Sequence, residues 1–173
     1  MQLTFNGLIA GSIYALVASG FSLIYGTNKF MHFAHGSAVA VAGYSLFYFF
    51  SSGLEFFQAV LITLILAGTF GFLVYKVVYF PLQNRNASNI VLLVASIAIL
   101  ILFENLIQLI WGANVSSVNY LEVKEGFDFL GASITGIQII IIGVSLVLLF
   151  SLYLFMKKTA IGKIMRAVAD NKE

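Results

Sequence analysis

The sequence predicts an all-α integral membrane protein with about five transmembrane helices, and three observations support this fold class. Hydrophobic residues make up 61% of the chain and charged residues only 9%, a composition that would expose large apolar patches in a soluble domain. Five apolar stretches are each long enough for a span of about 20 residues. None of them shows the strict alternation of a transmembrane β-strand, so we expect helices throughout.

The predicted spans, taken in order, form a transmembrane region over residues 1–156. The first span is not expected to be a signal peptide, because Met1 and Gln2 provide no basic region before it and the apolar run is long. The single proline of the chain agrees with long uninterrupted helices. The five spans are placed at residues 6–26, 30–50, 56–80, 89–111 and 134–156.

Basic residues are distributed unevenly over the connections between these spans. With the N-terminus outside, eight of the nine Lys and Arg residues fall on the inner side, and only Lys124 falls outside. This is the positive-inside pattern, so we expect an outer N-terminus and a cytoplasmic C-terminal segment. The net charge of +2 then reflects orientation, and nucleic acid is not expected as a partner. The inner residues are Lys29, Lys76, Arg85, Lys157, Lys158, Lys163, Arg166 and Lys172.

Two segments outside the spans have patterns of their own. Residues 112–133 form a long connection that mixes charged and aromatic residues, and we expect a small extracytoplasmic cap or hairpin there. Residues 157–173 are rich in helix formers, with an apolar face that contains Ile161, Ile164, Met165 and Val168. This helix either lies on the anionic lipids of the inner leaflet or docks on a cytoplasmic partner protein.

Both histidines of the chain lie in a polar segment at residues 29–36, between two apolar runs. His32 and His35 are three residues apart and offer two metal ligands, but no third ligand accompanies them, so no metal or other cofactor is expected. A helix that is broken at residues 33–36, or an inner-side loop, explains the same residues, with the imidazole N–H groups bonded to backbone carbonyls. Since ionisable groups at membrane depth are costly unless they face a cavity or a partner, we place His32, Phe33, His35, Gly36 and the nearby Tyr44 beside a translocation path.

Glu104 is the only acidic residue within an apolar span. It precedes Trp111 by seven residues, which places it about 10 Å below that helix end, and Asn105 and Gln108 are close to it on the helix. The carboxylate belongs either to a hydrogen-bonded packing contact or to a proton-coupled transport path, and we include it among the path residues.

Sequence motifs for catalysis are missing from this chain. It contains no GxxxxGK[ST] nucleotide-binding loop, nucleophile elbow or acid–base pair. The protein is therefore not expected to be an enzyme, and energy for any transport must come from a partner or from an ion gradient.

Short polar motifs in a fixed order between the spans resemble a known family. They resemble the N-terminal portion of bacterial inner-membrane permeases for branched-chain amino acids, which belong to the ABC importers. At His32, Ser37 and Ser96 the chain departs from the residues usual in that family. The motifs are Asn6-Gly7-Leu8, the run from Gly11 to Leu16, Gly20, Tyr25-Gly26, the run from Phe33 to Gly36, Gly43-Tyr44, Tyr79 to Leu82, Trp111-Gly112 and Thr159 to Asp170.

The resemblance implies a permease subunit that works with a second permease subunit, two cytoplasmic ATP-binding subunits and an extracytoplasmic substrate-binding protein. It implies that residues 157–173 are a coupling segment, cut short at Glu173, that contacts the ATPase through Thr159, Ile161, Gly162, Met165 and Arg166. The substrate would be a branched-chain amino acid. Alternatives are a permease for urea or short amides, a proton-coupled secondary carrier that uses Glu104, and a remnant that assembles without transporting.

Overall fold

The computed structural model describes residues 2–112, 114, 116–118, 127–129 and 132–170, and in this part of the chain nearly every residue outside the turns is helical. Lys124, Lys172 and much of the predicted 112–133 connection lie outside the described residues. The elements in order are α1 (Gln2–Asn28), α2 (Ala34–Ser51), α3 (Phe56–Val74), a π-helical turn (Tyr75–Tyr79), α4 (Phe80–Asn84), α5 (Asn89–Trp111), β1 (Phe127–Phe129), β2 (Ala132–Ile134), α6 (Gly136–Lys158) and α7 (Ala160–Asp170).

Each predicted span corresponds to a helix, and the fold class is confirmed as an all-α integral membrane protein. Among the described residues, four helical stretches are long and apolar enough to cross a bilayer: Gln2–Asn28, Phe56–Asn84, Asn89–Trp111 and Gly136–Lys158. Helix α2 is only 18 residues long and contains His35, three serines, two glycines and two tyrosines. The count of five spans therefore stays a prediction.

The chain divides into two compact units, residues 1–29 with 121–173 and residues 30–120. In the first unit α1 packs along α6 and also contacts α7. In the second unit α2 packs against α3 and α5. The predicted division between a transmembrane region and a segment after residue 156 stays a prediction.

The end of the third predicted span contains the π-helical turn, whose last residue, Tyr79, lies two positions before the single proline. The N–H of Phe80 bonds to the carbonyl of Tyr75, five residues back. Pro81 has no N–H, and its ring would crowd the carbonyl of Val77 in a regular helix. The wider turn accommodates the proline and places Tyr79 in the buried interior of the second unit, 3% exposed.

The long connection between α5 and α6 contains the predicted hairpin. Strands β1 and β2 pair in antiparallel register, with Phe127 opposite Ile134 and Phe129 opposite Ala132. Helix α6 then begins with a capping box, in which the N–H of Thr135 bonds to the side-chain oxygen of Gln138 at 3.0 Å.

Candidate functional site

The polar segment at residues 29–36 is a non-helical connection followed by the first turn of α2. Helix α1 ends at Asn28, and Lys29 has a φ of 58°, a left-handed conformation that does not continue a helix. The N–H groups of His35 and Gly36 bond to the carbonyls of His32 and Phe33 at 3.1 and 2.9 Å. These bonds close a tight turn that leads into α2. The break predicted at residues 33–36 is therefore misplaced, because the non-helical residues are 29–33 and α2 begins at Ala34.

Ser96 of α5 holds this connection in place. Its hydroxyl accepts a hydrogen bond from the backbone N–H of Phe33 at 3.2 Å. The same oxygen lies 3.2 Å from the carbonyl oxygen of Met31 and 2.7 Å from that of Leu93, and its one proton serves these two acceptors. Ser96 is fully buried. A serine 63 residues away thus satisfies backbone groups that the interrupted helix leaves without partners.

His32 packs in an aromatic cluster with Phe30 and Tyr79. The ring centroids of His32 and Tyr79 are 4.9 Å apart, and those of Phe30 and Tyr79 are 5.4 Å apart. Among the described residues, Nδ1 of His32, Nε2 of His35 and the hydroxyl of Tyr79 are buried without a hydrogen-bond partner. The expected bonds from imidazole N–H groups to backbone carbonyls are not formed at these two nitrogens, and Ser96 takes that role.

The other residues predicted for the start of the path have different environments. Phe33 is 38% exposed, so part of its side chain lies at the surface of the second unit. A Cβ atom at Gly36 would lie 3.3 Å from Cδ1 of Leu100. Gly36 therefore allows α2 and α5 to approach each other closely at this point, which is a packing role.

Tyr44 lies on α2 ten residues after its first residue, about 15 Å along the helix from the histidine segment. Its ring packs against Trp111 of α5, with centroids 5.4 Å apart. Tyr44 also lines an open groove of about 340 Å³ together with Ala40, Gly43, Phe47, Asn114 and Val118. The predicted path residues on α2 thus fall at two levels of the helix.

Glu104 lies at the surface of the second unit, where its side chain is exposed. The amide of neighbouring Asn105 donates to the carbonyl of Ile101 at 2.7 Å, within the same helix. No group of three or more His, Asp or Glu side chains that could hold a metal ion occurs among the described residues.

The corner between α6 and α7 depends on Thr159 and Gly162. The Thr159 hydroxyl accepts from the N–H of Gly162 at 3.0 Å and lies 2.7 Å from the carbonyl oxygen of Phe155, so it caps the start of α7. A Cβ atom at Gly162 would lie 2.5 Å from the carbonyl oxygen of Met156. The close approach that Gly162 permits is therefore to the end of α6 in its own chain.

Helix α7 presents two different faces. Met165 and Ala169 turn towards α1 and line a cavity of about 200 Å³ with Gly26 and Thr27. Ile161, Ile164 and Val168 are 59%, 63% and 46% exposed and form an apolar stripe along the helix.

Two basic side chains also hold α7 against the rest of its unit. Arg166 donates to the Lys157 carbonyl at 3.4 Å, and Lys29 donates to the Ala169 carbonyl. The predicted amphipathic helix is confirmed, but its apolar residues are divided between contacts within the chain and an open stripe.

Ser96, Tyr79 and Phe47 are not among the site residues that the sequence predicts. A signal for Ser96 was present, since it is the single polar residue between Ile90 and Phe103 and a buried hydroxyl in an apolar helix needs a partner. Tyr79 precedes the only proline by two residues, but its position beside His32 depends on the π turn.

Comparisons with known proteins identify similar sequences over nearly the whole chain. A family model described as the permease component of the branched-chain amino acid transport system matches residues 3–173. The chain is 28% identical over 185 residues to the high-affinity branched-chain amino acid transport system permease protein BraD of Pseudomonas aeruginosa. It is 27% identical over 184 residues to the corresponding protein LivH of Escherichia coli K12.

Both alignments cover 99% of this chain and 59% of the relative. The chain therefore spans about three fifths of the length of these curated relatives. No solved structure matches it.

Proposed function

Because the chain belongs to the permease family of the branched-chain amino acid transport system, we propose that it is a membrane subunit of an ABC importer for branched-chain amino acids. In this proposal it forms part of the passage through the bacterial inner membrane, and separate subunits hydrolyse the ATP. The observation that carries the proposal is the family match over residues 3–173. The long apolar helices and the names of the relatives support it.

The proposal includes four partner proteins around the membrane region. A second permease subunit completes the passage, two cytoplasmic ATP-binding subunits drive it, and an extracytoplasmic binding protein delivers the substrate. Membrane lipids surround the exposed apolar side chains of α1, α3, α5 and α6, which a soluble protein would have to cover.

Helix α7 is proposed to couple the ATPase to the membrane helices. Thr159, Gly162, Met165 and Arg166 hold α7 against its own unit, so movement of α7 is transmitted to α1 and α6. Ile161, with Ile164 and Val168, forms the open apolar stripe that an ATPase groove would cover. Because α7 is capped and packed against α1 and α6, a displacement of α7 by an ATPase subunit would also move these two membrane helices.

The residues around the start of α2 are proposed to lie beside the translocation path. His32, Phe33, His35 and Gly36 lie at a helix interruption, where Nδ1 of His32 and Nε2 of His35 are buried with no hydrogen-bond partner among the described residues. Such backbone at membrane depth is tolerated where it is buried in protein or lines a cavity. Tyr44 and Glu104 are proposed as further path residues.

Uptake of radiolabelled L-leucine tests the proposed function. The full-length protein is purified with the subunits that accompany it and reconstituted into proteoliposomes. We expect uptake that requires ATP and the binding protein, and uptake that is lost in the Ile164→Gln variant but kept in Lys163→Gln on the polar side of α7. Transport without ATP, or equal activity in the two variants, would contradict the coupling proposal.

Two further measurements separate the alternatives. A proton-coupled carrier requires a titratable group at Glu104, so a normal rate in Glu104→Gln excludes that mechanism for this residue. Uptake of radiolabelled urea in place of L-leucine would move the substrate class to short amides.

A further inference from the structure

The groove beside Tyr44 has two kinds of lining. Ala40, Phe47 and Val118 supply an apolar wall, whereas Tyr44, Asn114 and Ser116 supply a phenol, an amide and a hydroxyl group. Its volume of about 340 Å³ is at the low end for ligand pockets, about 300–1,000 Å³. We propose that this groove is a binding site for an L-amino acid with a branched aliphatic side chain, an inference that rests on the proposed function.

The chemistry of the lining matches both parts of such a ligand. An isobutyl or isopropyl side chain would be removed from water against Phe47, Ala40 and Val118. The hydroxyl of Tyr44, the amide of Asn114 and the hydroxyl of Ser116 can each donate and accept hydrogen bonds, as a carboxylate and an ammonium group together require. Urea has no apolar part and would leave the wall uncovered.

The groove contains no charged side chain among its described lining residues. Neutral hydrogen-bonding side chains bind a zwitterion more weakly than charged side chains do. A hydrogen bond in which both donor and acceptor are neutral is about half as strong as a charge-assisted one. Weak binding suits a site that a substrate must leave again during transport. The groove lies beside the C-terminal end of α5, which the predicted topology places on the outer side, where a binding protein would release its substrate.

Gly43 provides a direct test of the groove. Among the described residues, no neighbouring atom lies within 4 Å of a Cβ atom built at this position, and Gly43 lines the groove. A longer side chain at residue 43 therefore extends into the space of the groove. Gly68 of α3 likewise has no described neighbouring atom within 4 Å of an added Cβ atom. Because leucine favours a helix more than glycine does, Gly43→Leu and Gly68→Leu should both fold.

The only tryptophan of the chain reports on this site. Trp111 packs against Tyr44 at 5.4 Å and against Tyr48 at 6.5 Å between ring centroids. The experiment is a titration of the full chain in lipid nanodiscs with L-leucine, followed by tryptophan fluorescence. We expect a saturable change that L-isoleucine and L-valine also produce and that urea does not.

The variants distinguish binding of L-leucine in the groove from a change in fluorescence that does not depend on the groove. In Gly43→Leu we expect the Kd for L-leucine to rise about tenfold or more, because a single badly fitted group in an apolar pocket weakens binding by that amount. In Gly43→Ala the Kd should rise less. In Gly68→Leu it should stay within about twofold of the unmodified chain. Circular dichroism checks the fold of each variant. If Gly43→Leu does not fold, the Kd of Gly43→Ala for L-leucine is the test.

The absence of a saturable response to L-leucine in the unmodified chain would overturn the proposal. Equal Kd values for the unmodified chain and a folded Gly43→Leu variant would do the same. The titration needs neither ATP nor other subunits. Its failure is therefore distinguishable from failure of the proposed import function, which the uptake experiment measures.

Discussion

The backbone N–H of Phe33, at the start of α2, donates a hydrogen bond to the hydroxyl of Ser96 in α5, with 3.2 Å between the nitrogen and the oxygen. The hydroxyl is fully buried and also lies within hydrogen-bond distance of two carbonyl oxygens. One small side chain therefore fixes the point at which the chain re-enters a helix. Its position also determines where His32 and His35 lie within their unit.

Replacing Ser96 by alanine should destabilise the protein by about 1 kcal/mol, because the Phe33 N–H loses this acceptor and the Met31 carbonyl loses a donor. Thermal unfolding in detergent measures the change. Ser19→Ala is the matched control, since the Ser19 hydroxyl bonds only within α1, to the Leu16 carbonyl at 2.7 Å. Equal melting temperatures for the two variants would show that the hydrogen bonds from Ser96 to Phe33 and Met31 do not stabilise the protein.

Gly162→Ala should disrupt the corner between α6 and α7, because the new Cβ atom would overlap the Met156 carbonyl oxygen and the backbone there must shift. We expect a loss of about 1–3 kcal/mol, as for other overpacked sites. Limited proteolysis of the α6–α7 corner measures the opening. Gly143→Ala, in the open part of α6, should be neutral or slightly stabilising. A proteolysis rate in Gly162→Ala that equals that of Gly143→Ala would contradict this account of the corner.

Thr159→Ala should loosen α7, since it removes the acceptor for the Gly162 N–H, at a cost of about 1 kcal/mol. Hydrogen exchange of the α7 amides should become faster, while exchange in α5 should not change. Thr159→Ser keeps the hydroxyl and should restore slow exchange. If the α7 amides exchange as fast in Thr159→Ser as in Thr159→Ala, the methyl group of Thr159 and not its hydroxyl cap is responsible for slow exchange.

Tyr79→Phe should leave stability unchanged or raise it, because the buried hydroxyl has no hydrogen-bond partner among the described residues while the ring packs against His32 and Phe30. Tyr79→Ala removes that ring and should cost about 3–5 kcal/mol. Thermal unfolding of both variants measures the contrast. A marked destabilisation in Tyr79→Phe would mean that the hydroxyl has a partner, such as a bound water.

Predictions that depend on local pattern agree well with the structure. Apolar length alone placed α5 at residues 89–111, where the structure has it, and the periodicity of residues 157–173 indicated an amphipathic helix that is present as α7. The charged and aromatic connection at 112–133 contains the expected hairpin. These features could be predicted because helix formation in a membrane protein depends on the hydropathy of consecutive residues.

Roles that depend on distant contacts could not be predicted in the same way. The histidine segment was recognised as an interruption, but its bonding to Ser96 joins residues 63 positions apart. Gly162 is implied by the resemblance as an ATPase contact, and its close packing against the end of α6 becomes visible only in the structure. Met165 was grouped with Ile161 on one apolar face, yet Met165 turns towards α1 and Ile161 is exposed.

The helical fold, the membrane location and the family resemblance follow from the amino-acid sequence, because composition and short motifs are properties of the chain alone. The exposed face of α7, the support of the start of α2 by Ser96 and the position of Gly43 beside a groove are visible only once the chain is folded. The physical reason is that helix packing brings together side chains from separate helices, and their mutual orientation is not a function of hydropathy.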